Sequence, residues 1–526
     1  MLETSSLRRF AGVRFALAGA LALAALLTSC AVGPNYHTPH MSVPDRYAAT
    51  ASDTGSVPAA AAAPAVDLAR WWRALQDTEL DSLIERAVRS NPDALIALDR
   101  LQAARTYELG IAGSLLPAAA ASGAYGRGTG DDNARGRAAE PLVTADNPHG
   151  LNSINEVGGF AAVWEVDVFG KVRRQMEAAH DNAQAAADAR NAVLVSVVAD
   201  VAQAYVDLRG LQMRASVLHS SIDVLRQSLD LVTQRYERGI TNELDVTLAR
   251  RELASLQAQV APVDAQVLAA QYTIATLLGA YPEDLVRELT AAGMVPSVPA
   301  VVDTGLPVDL LRRRPDIMQA ERDLASSNAQ IGVATADLFP QFIATGAIGA
   351  QRGDLGTAAP LGQHVWSLGA GALWPLLDFG TLDAQVQAAK WQTRALLVAY
   401  KKAIQTAVQQ VDTTVAALRA QQASLASLGE ALLASERAVT LANERYNRGL
   451  TDFLNVVDAE RAEYAIQDQF IAAQTSVAEQ FIALYRYLGG GWQSYQKIPG
   501  IVKPLPAILA IFRDTLAKGD DALRQP

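Results

Sequence analysis

Between residues 218 and 274 the apolar positions fall into two regular series. Leu218, Ile222, Leu225, Leu229, Val232 and Tyr236 step by four and three, and so do Leu256, Val260, Val263, Val267, Ala270 and Ile274. That spacing is a heptad seam and predicts long α-helices wound as a left-handed coiled coil. Gly239 stands between the two series, suited to the left-handed position that ends a helix, and Thr241 or Asn242 can cap the next one. The unit is therefore expected to be an antiparallel helical hairpin. A helix from Lys171 to Arg235 would be about 100 Å long at roughly 1.5 Å per residue. A shorter helical pattern covers Asn91 to Leu116, with Leu95, Leu98, Leu101 and Leu109 near one stripe and Pro117 as its stop.

Elsewhere the period drops to two. Ala118 to Gly128 is small and glycine-rich, Thr129 to Asn155 is polar, and an alternating run follows. In that run Phe160, Ala162, Trp164, Val166 and Val168 share one face, with Glu165 and Asp167 on the other. Phe342, Ala344, Gly346 and Ile348 repeat the pattern, as do Leu368, Ala370, Ala372 and Trp374. Such weak alternation is what a strand between lipid and lumen gives. Four strands cannot close a membrane barrel, which takes about eight or more. The barrel must be shared between chains.

The chain repeats itself. A shift of 210 carries Arg235-Tyr236-Glu237-Arg238-Gly239-Ile240-Thr241 onto Arg445-Tyr446-Asn447-Arg448-Gly449-Leu450-Thr451, and Trp164, Phe169-Gly170 and Leu278-Gly279 onto Trp374, Phe379-Gly380 and Leu488-Gly489. Upstream the shift is 223, pairing Pro92-Asp93 with Pro315-Asp316, Pro117 with Pro340 and Gly123 with Gly346. The first half therefore holds a longer polar insert between Pro117 and Trp164. Each half reads helix, two strands, long helical hairpin. The expected divisions are 81–279 and 313–489 for the halves, 280–312 for the link, and 490–526 for the tail.

The N-terminus adds an address. Arg8, Arg9 and Arg14 precede the apolar run Phe15 to Leu27, too short for a finished membrane helix, and Leu27-Thr28-Ser29-Cys30 follows. Small residues before a cysteine form a bacterial lipobox. Cys30 is the only cysteine, so acylation explains it better than a disulfide. Residues 1–29 are then a signal peptide, and 30–80 the lipid-anchored N-terminal and equatorial segment. Ala31, rather than Asp, follows Cys30, so nothing signals inner-membrane retention. Net charge is −10, and −12 once residues 1–29 are removed, which argues against nucleic acid as a partner. No later stretch reaches about eighteen uninterrupted apolar residues, so any crossing is expected to be a closed β-barrel.

Several local features resolve to plain readings. Gly123-x-x-Gly126-x-Gly128 and Gly346-x-x-Gly349 lie in expected strands without a following Lys-Ser/Thr, so they are strand glycines rather than phosphate loops. His37 and His40 are two ligands in a flexible segment, so no metal site is expected. Arg312 to Arg314 reads as a solvated helix start, and Trp164 and Trp374 as an interfacial belt. No nucleophile and base share a pattern, so the chain is not expected to be an enzyme, and no cofactor beyond the lipid is implied.

Leu310-Leu311-Arg312-Arg313-Arg314-Pro315-Asp316-Ile317, with Ala320-Glu321, Ile331-Gly332 and Phe339-Pro340, resembles the central signature of TolC-like outer-membrane efflux proteins. Trp71-Trp72, the paired Arg-Tyr-x-x-Gly turns and Leu488-Gly489-Gly490-Gly491-Trp492 fit the same family. With the lipobox they point to its NodT-type lipoprotein branch, which serves resistance-nodulation-division (RND) pumps. The resemblance implies an α+β membrane channel: a homotrimer with a shared twelve-stranded barrel, a twelve-helix α-barrel and a mixed equatorial belt. It would be anchored in outer-membrane lipid, reach into the periplasm, and conduct drugs passively from an inner-membrane RND pump and a periplasmic adaptor. It further implies that Gly239 and Gly449 form the adaptor-contact tips and that Leu454 and Asp458 line the pore constriction. Asp245 would lock neighbouring helices together with Tyr446, and Asn455 stands where a better-known member has a second ring aspartate. The alternatives are an exit duct of type I secretion and, in another class, a structural coiled-coil lipoprotein acting as a periplasmic spacer.

Overall fold

The two halves announced by the sequence return as two sets of elements whose paired helices match in length. In the computed structural model residues 31–51, 66–128, 153–299, 307–354 and 361–495 are described. After an N-terminal strap come α1 (Thr78–Ser90), α2 (Pro92–Gly113), β1 (Ala118–Gly128), β2 (Ser153–Val166), α3 (Lys171–Glu237) and α4 (Glu243–Leu277). The second half repeats the order as α5 (Pro315–Ala336), β3 (Gln341–Asp354), β4 (Leu361–Leu373), α6 (Thr381–Asn447) and α7 (Phe453–Tyr487). Helices α3 and α6 each hold 67 residues, α4 and α7 each hold 35, and α2 and α5 each hold 22. Sixty-seven residues give a rod of about 100 Å.

Local chemistry sets the helix ends. Asp77 accepts from the backbone N–H groups of Glu79 (2.9 Å) and Leu80 (3.1 Å) to open α1, a helix that periodicity did not assign. Asn91 does the same for α2, and Pro92 and Pro315 begin α2 and α5, where a missing N–H costs nothing. Asp167, expected on a strand face, instead lies beyond β2 and accepts from the N–H groups of Val172 (3.2 Å) and Arg173 (3.0 Å) at the start of α3. Asp378 stands one residue out of register with it, yet accepts from Gly380 and Leu382 in the same way. Those two N–H bonds hold its carboxyl below the usual aspartate range.

The strands form one open antiparallel sheet in the order β1-β2-β3-β4. Ala118 pairs with Val163, Phe160 with Ile348, and Ala344 with Ala370. Both edges, β1 and β4, are unpaired within the chain. Phe160, Ile348, Trp366 and Leu368 stand exposed on it, as apolar residues do where lipid or a neighbouring chain supplies the cover.

Below the sheet, α3 carries the chain. It packs against α2, α4, α5 and α7, and α6 packs against α5 and α7. One stretch of α3 is apolar enough to cross a bilayer by composition, but 67% of it is buried inside the protein. The largest core lies at mid-height, where residues 66–90 and the link 281–299 fold against α3 and α7. Trp71 is fully buried there, stacked on Tyr485 at 5.5 Å and edge-on to Phe481 at 6.2 Å. Arg209 on α3 binds Glu79, Gln212 and the carbonyl of Ala291, while Tyr205 donates to Asp77 (2.7 Å), so α1 and the link are pinned by polar contacts as well.

Arg314 departs from the expected solvated helix start. Arg312 is exposed and Arg313 pairs with Asp309, but Arg314 is buried. Its guanidinium folds back onto Asp316 (2.6 Å), Gln410 on α6 (2.9 Å) and the carbonyl of Tyr487 that ends α7 (3.1 Å). It joins three helices, a role invisible in a run of three arginines.

Candidate functional site

The site implied by the sequence lies at the far end of the helical hairpins. Helix α3 ends as Gly239 turns left-handed at φ +71°, and Gly449 ends α6 at φ +69°. In the first turn Gly239 N donates to Tyr236 O (2.8 Å) and Ile240 N to Arg235 O (2.9 Å). The second repeats both with Gly449, Leu450, Tyr446 and Arg445 at 2.9 Å each. These bonds satisfy carbonyls the helix ends leave open. A side chain on either glycine would meet no atom within 4 Å. The backbone angle alone requires glycine within the chain, and the space above it is free for another backbone. Beside the glycines each tip shows two aliphatics to solvent: Ile240 and Leu244 on one, Leu450 and Leu454 on the other.

A small separate core holds the two tips side by side. Val232, Val246, Ala249, Tyr446, Phe453, Val456 and Val457 are buried together. Arg235 reaches from the first tip to the carbonyls of Tyr446 (3.4 Å) and Asn447 (3.3 Å), with its guanidinium 4.6 Å above the Tyr446 ring. A cation at a helix C-terminus opposes the dipole there. Phe453, Val456 and Val457 bury one face of the first turns of α7, which leaves Leu454 and Asp458 exposed one turn apart on the other. Asn455 is exposed and donates to Thr451 (2.7 Å). Asp245 accepts from Thr241 within its own turn, and its N–H is capped by Asn242 (3.1 Å). No hydrogen bond joins Asp245 to Tyr446 within the chain; the Tyr446 hydroxyl is buried without a partner among the described residues.

Along the rods, α3 and α7 meet through polar pairs whose α3 members, Asp200, Asp207 and Arg214, step by one heptad. Arg486 binds Asp200 (2.8 Å) and Arg214 binds Asp468 (2.6 Å); between them Asp207 faces Glu479. Burial, and then the hydrogen bond and charge of Glu479, push the Asp207 carboxyl up to about 7. Further along, Ser228 donates to Glu460 (3.1 Å), whose carboxyl is raised by burial. The apolar seam gives no hint of this polar one. Its signal was present in the spacing of Asp200, Asp207 and Arg214.

Cys30 lies outside the described residues, but Ala31 does not. A Cβ on Gly170, at the head of α3, would sit 2.6 Å from the Ala31 side chain. The strap therefore begins where strands give way to helices. Val32 N donates to Phe169 O (3.1 Å), and the buried Arg174 donates to Val32 O (3.1 Å) and to Asn35 (2.8 Å). Gly33, at φ +92°, passes so close to α5 that a Cβ there would be 2.5 Å from the Gly332 Cα. Farther down, Thr38 binds Glu321 and Ala49 binds Asp412 on α6. His37 borders a cleft between strap, α5 and α6; among the described residues no three His, Cys, Asp or Glu side chains come together as metal ligands.

Against known proteins, the model of a family described as outer membrane efflux protein matches residues 83–280 and 306–490. Nodulation protein T of Rhizobium leguminosarum bv. trifolii is 28% identical over 478 residues, covering 90% of this chain and 97% of that protein. The toluene efflux pump outer membrane protein TtgC of Pseudomonas putida is 29% identical over 471 residues, covering 89% and 94%. The solved outer-membrane channel OprN superposes with a TM-score of 0.76 at 33% identity, covering 88% of this chain and all of that one.

Proposed function

The chain belongs to the outer membrane efflux protein family, whose members are trimeric α+β channels of the outer membrane reaching into the periplasm, and on that premise we propose that it is the exit duct of a tripartite RND-type multidrug efflux pump. One observation carries the reading. Two glycine turns, each flanked by a pair of exposed aliphatics, sit at the ends of rods about 100 Å long and repeat each other 210 residues apart. A tunnel with bare, apolar, duplicated tips is built to be met end-on by a second protein, here a periplasmic adaptor. Similarity to a toluene efflux outer-membrane protein supports small apolar or amphipathic compounds as cargo. Ala31 beside Gly170 would place a lipid on Cys30 at the rim of the barrel, level with the inner leaflet. In this reading Leu454 and Asp458 of three chains line the constriction: the leucines as a collar that disfavours water, the carboxylates as a ring that holds cations.

The test is docking. Gly239→Ile and Gly449→Ile together oppose a positive φ and fill the open space over both turns. Efflux-dependent resistance should fall roughly tenfold or more while the outer membrane keeps its normal trimer level, and crosslinking to the adaptor should be lost. Unimpaired resistance with both substitutions in place would exclude the turns as the docking surface.

A further inference from the structure

Where α3, α4 and α7 meet, a cleft of about 110 Å³ opens between the two helical hairpins. Glu460, which lines it, stands seven residues past Phe453 at the head of α7, so the cleft lies about 10 Å behind the tips. Leu225, Leu256 and Tyr464 give it an apolar wall, and Tyr464 is fixed by donating to Gln259 (3.2 Å). Its charge is one-sided. Glu252, Glu460 and Glu463 line it, and among the described residues around it Arg461 is the one cation. Glu252 and Glu460 keep only 7% and 9% of their surface in water, so more than nine-tenths of each is withdrawn. Glu460 Oε1 accepts from Ser228 (3.1 Å), but Oε2 is buried with no hydrogen-bond partner among the described residues. Asn443 of α6 comes near that carboxyl without reaching hydrogen-bond geometry. Arg251 stands 3.9 Å from Glu252 and is itself exposed, while Gln467 donates to Glu463 (3.1 Å). Burial raises the carboxyls of Glu460 and Glu463, and Glu436 of α6 adds to the second.

The seam between α3 and α7 accounts for the imbalance. Higher up, three successive heptad positions of α3 are answered by α7: Asp200 by Arg486, Asp207 by Glu479 with which it shares a proton, and Arg214 by Asp468. The next two heptad steps on α3 are Ser221 and Ser228. Carboxylates continue along α7, but α3 now offers them hydroxyls. A buried carboxylate without a counter-ion is costly. We infer that the cleft binds a short aliphatic diammonium ion, which brings to Glu460 and Glu252 the countercharge that Ser221 and Ser228 do not supply. Three carboxylates against one guanidinium leave two negative charges, and such an ion carries two positive ones at neutral pH. Metal coordination does not fit the cleft, because among the described residues no three His, Cys, Asp or Glu side chains come together as ligands. An alkyl chain can instead lie along Leu225 and Leu256, and each ammonium brings three N–H donors, one of them for Oε2 of Glu460. Bound in this way, the ion ties α4 to α7 and so joins the first hairpin to the second. The site lies within one protomer, and it stands whether or not the channel serves a drug pump.

The probe is 1,4-diaminobutane added to the purified trimer, in an Asp458→Asn background so that the ring proposed at the constriction takes no part. Titration calorimetry at about pH 8 and constant ionic strength, where the raised carboxyls are ionised, should show saturable binding of one ion per protomer. Glu460→Gln and Glu252→Gln keep the side-chain shape and lose the charge, and each should weaken binding roughly tenfold or more. n-Butylammonium, with the same chain and a single charge, should also bind roughly tenfold more weakly or worse. Ser221→Lys places an ammonium on α3 at the next heptad step. It should abolish diamine binding and, with no diamine present, melt above the parent, an outcome that simple damage to the packing would not give. Saturable binding that is absent from the folded trimer, matched by n-butylammonium, or untouched by Glu460→Gln would overturn the site. So would a Ser221→Lys trimer that still takes up the diamine as the parent does.

Discussion

At the scale of single residues, the charged groups on the helices do different work according to how much water they keep. Asp207 and Glu479 share one half-buried site, so the folded chain holds a proton that an unfolded chain releases. Its carboxyl is raised from the ordinary aspartate range to about 7. Stability should therefore fall as pH rises through that window and change no further above it. Asp207→Asn, which cannot ionise, should gain on the parent by about 1–2 kcal/mol per protomer above neutrality, allowing for partial exposure, and by nothing near pH 4. Thermal melts of the purified trimer at the two pH values check this; a gain equal at both would mean the pair does not share a proton. Leu454 and Asp458 face away from the tip core, so neither holds the fold. Leu454→Ala with Asp458→Ala should leave the trimer intact, raise single-channel conductance in planar bilayers several-fold, and weaken block by multivalent cations. A folded double variant with parental conductance would move the constriction elsewhere. Arg314 shows the limit of reading charges in a row. Three arginines look alike in sequence, and only packing separates the exposed one from the one that ties α5 to α6 and α7.

At the scale of elements, the helices are long because their stripes are continuous and their ends are marked. Glycine at φ near +70° closes both hairpins, and Asp, Asn or Pro opens the helices that follow a turn. The mid-height core is another matter. Residues 66–90 carry only one short apolar stripe, Leu80, Leu83, Ile84 and Ala87, and are held by insertion, with Trp71 between Tyr485 and Phe481. Trp71→Ala should cost about 3–5 kcal/mol, the range for emptying a buried aromatic site. The first consequence should be earlier proteolysis of this belt while α3 and α6 stay protected, since the helical hairpins have cores of their own. Hydrogen exchange on the purified channel, resolved by segment, would show whether the belt opens before the rods.

At the scale of the whole molecule, one chain is visibly incomplete: its sheet has two free edges, and α6 shows to water what α3 buries. The strap runs from Ala31, beside Gly170 at the strand–helix junction, down to Asp412, so that a lipid on Cys30 would tie the channel to the membrane a second time. Cys30→Ala should abolish fatty-acid labelling and lower the amount of channel at the outer membrane several-fold, while the trimers that do assemble keep their heat resistance, because the barrel has membrane affinity of its own. Label persisting in that variant would remove the lipid from Cys30. Much of this architecture was legible in the sequence. The heptads, the turn glycines and the 210-residue shift are local or periodic, and local sterics and a repeating apolar stripe act whatever the rest of the chain does. Hence the helix bounds of the two halves coincide under the shifts read from the sequence alone. What the tertiary structure alone decided is which charges are buried and against what. Arg174 under the strap, Arg209 in the belt, Arg314 between three helices and the shared proton of Asp207 all join residues far apart in sequence. No period records such meetings. A buried charge is tolerated only where packing happens to deliver its partner, and that is settled when the elements come together, not before.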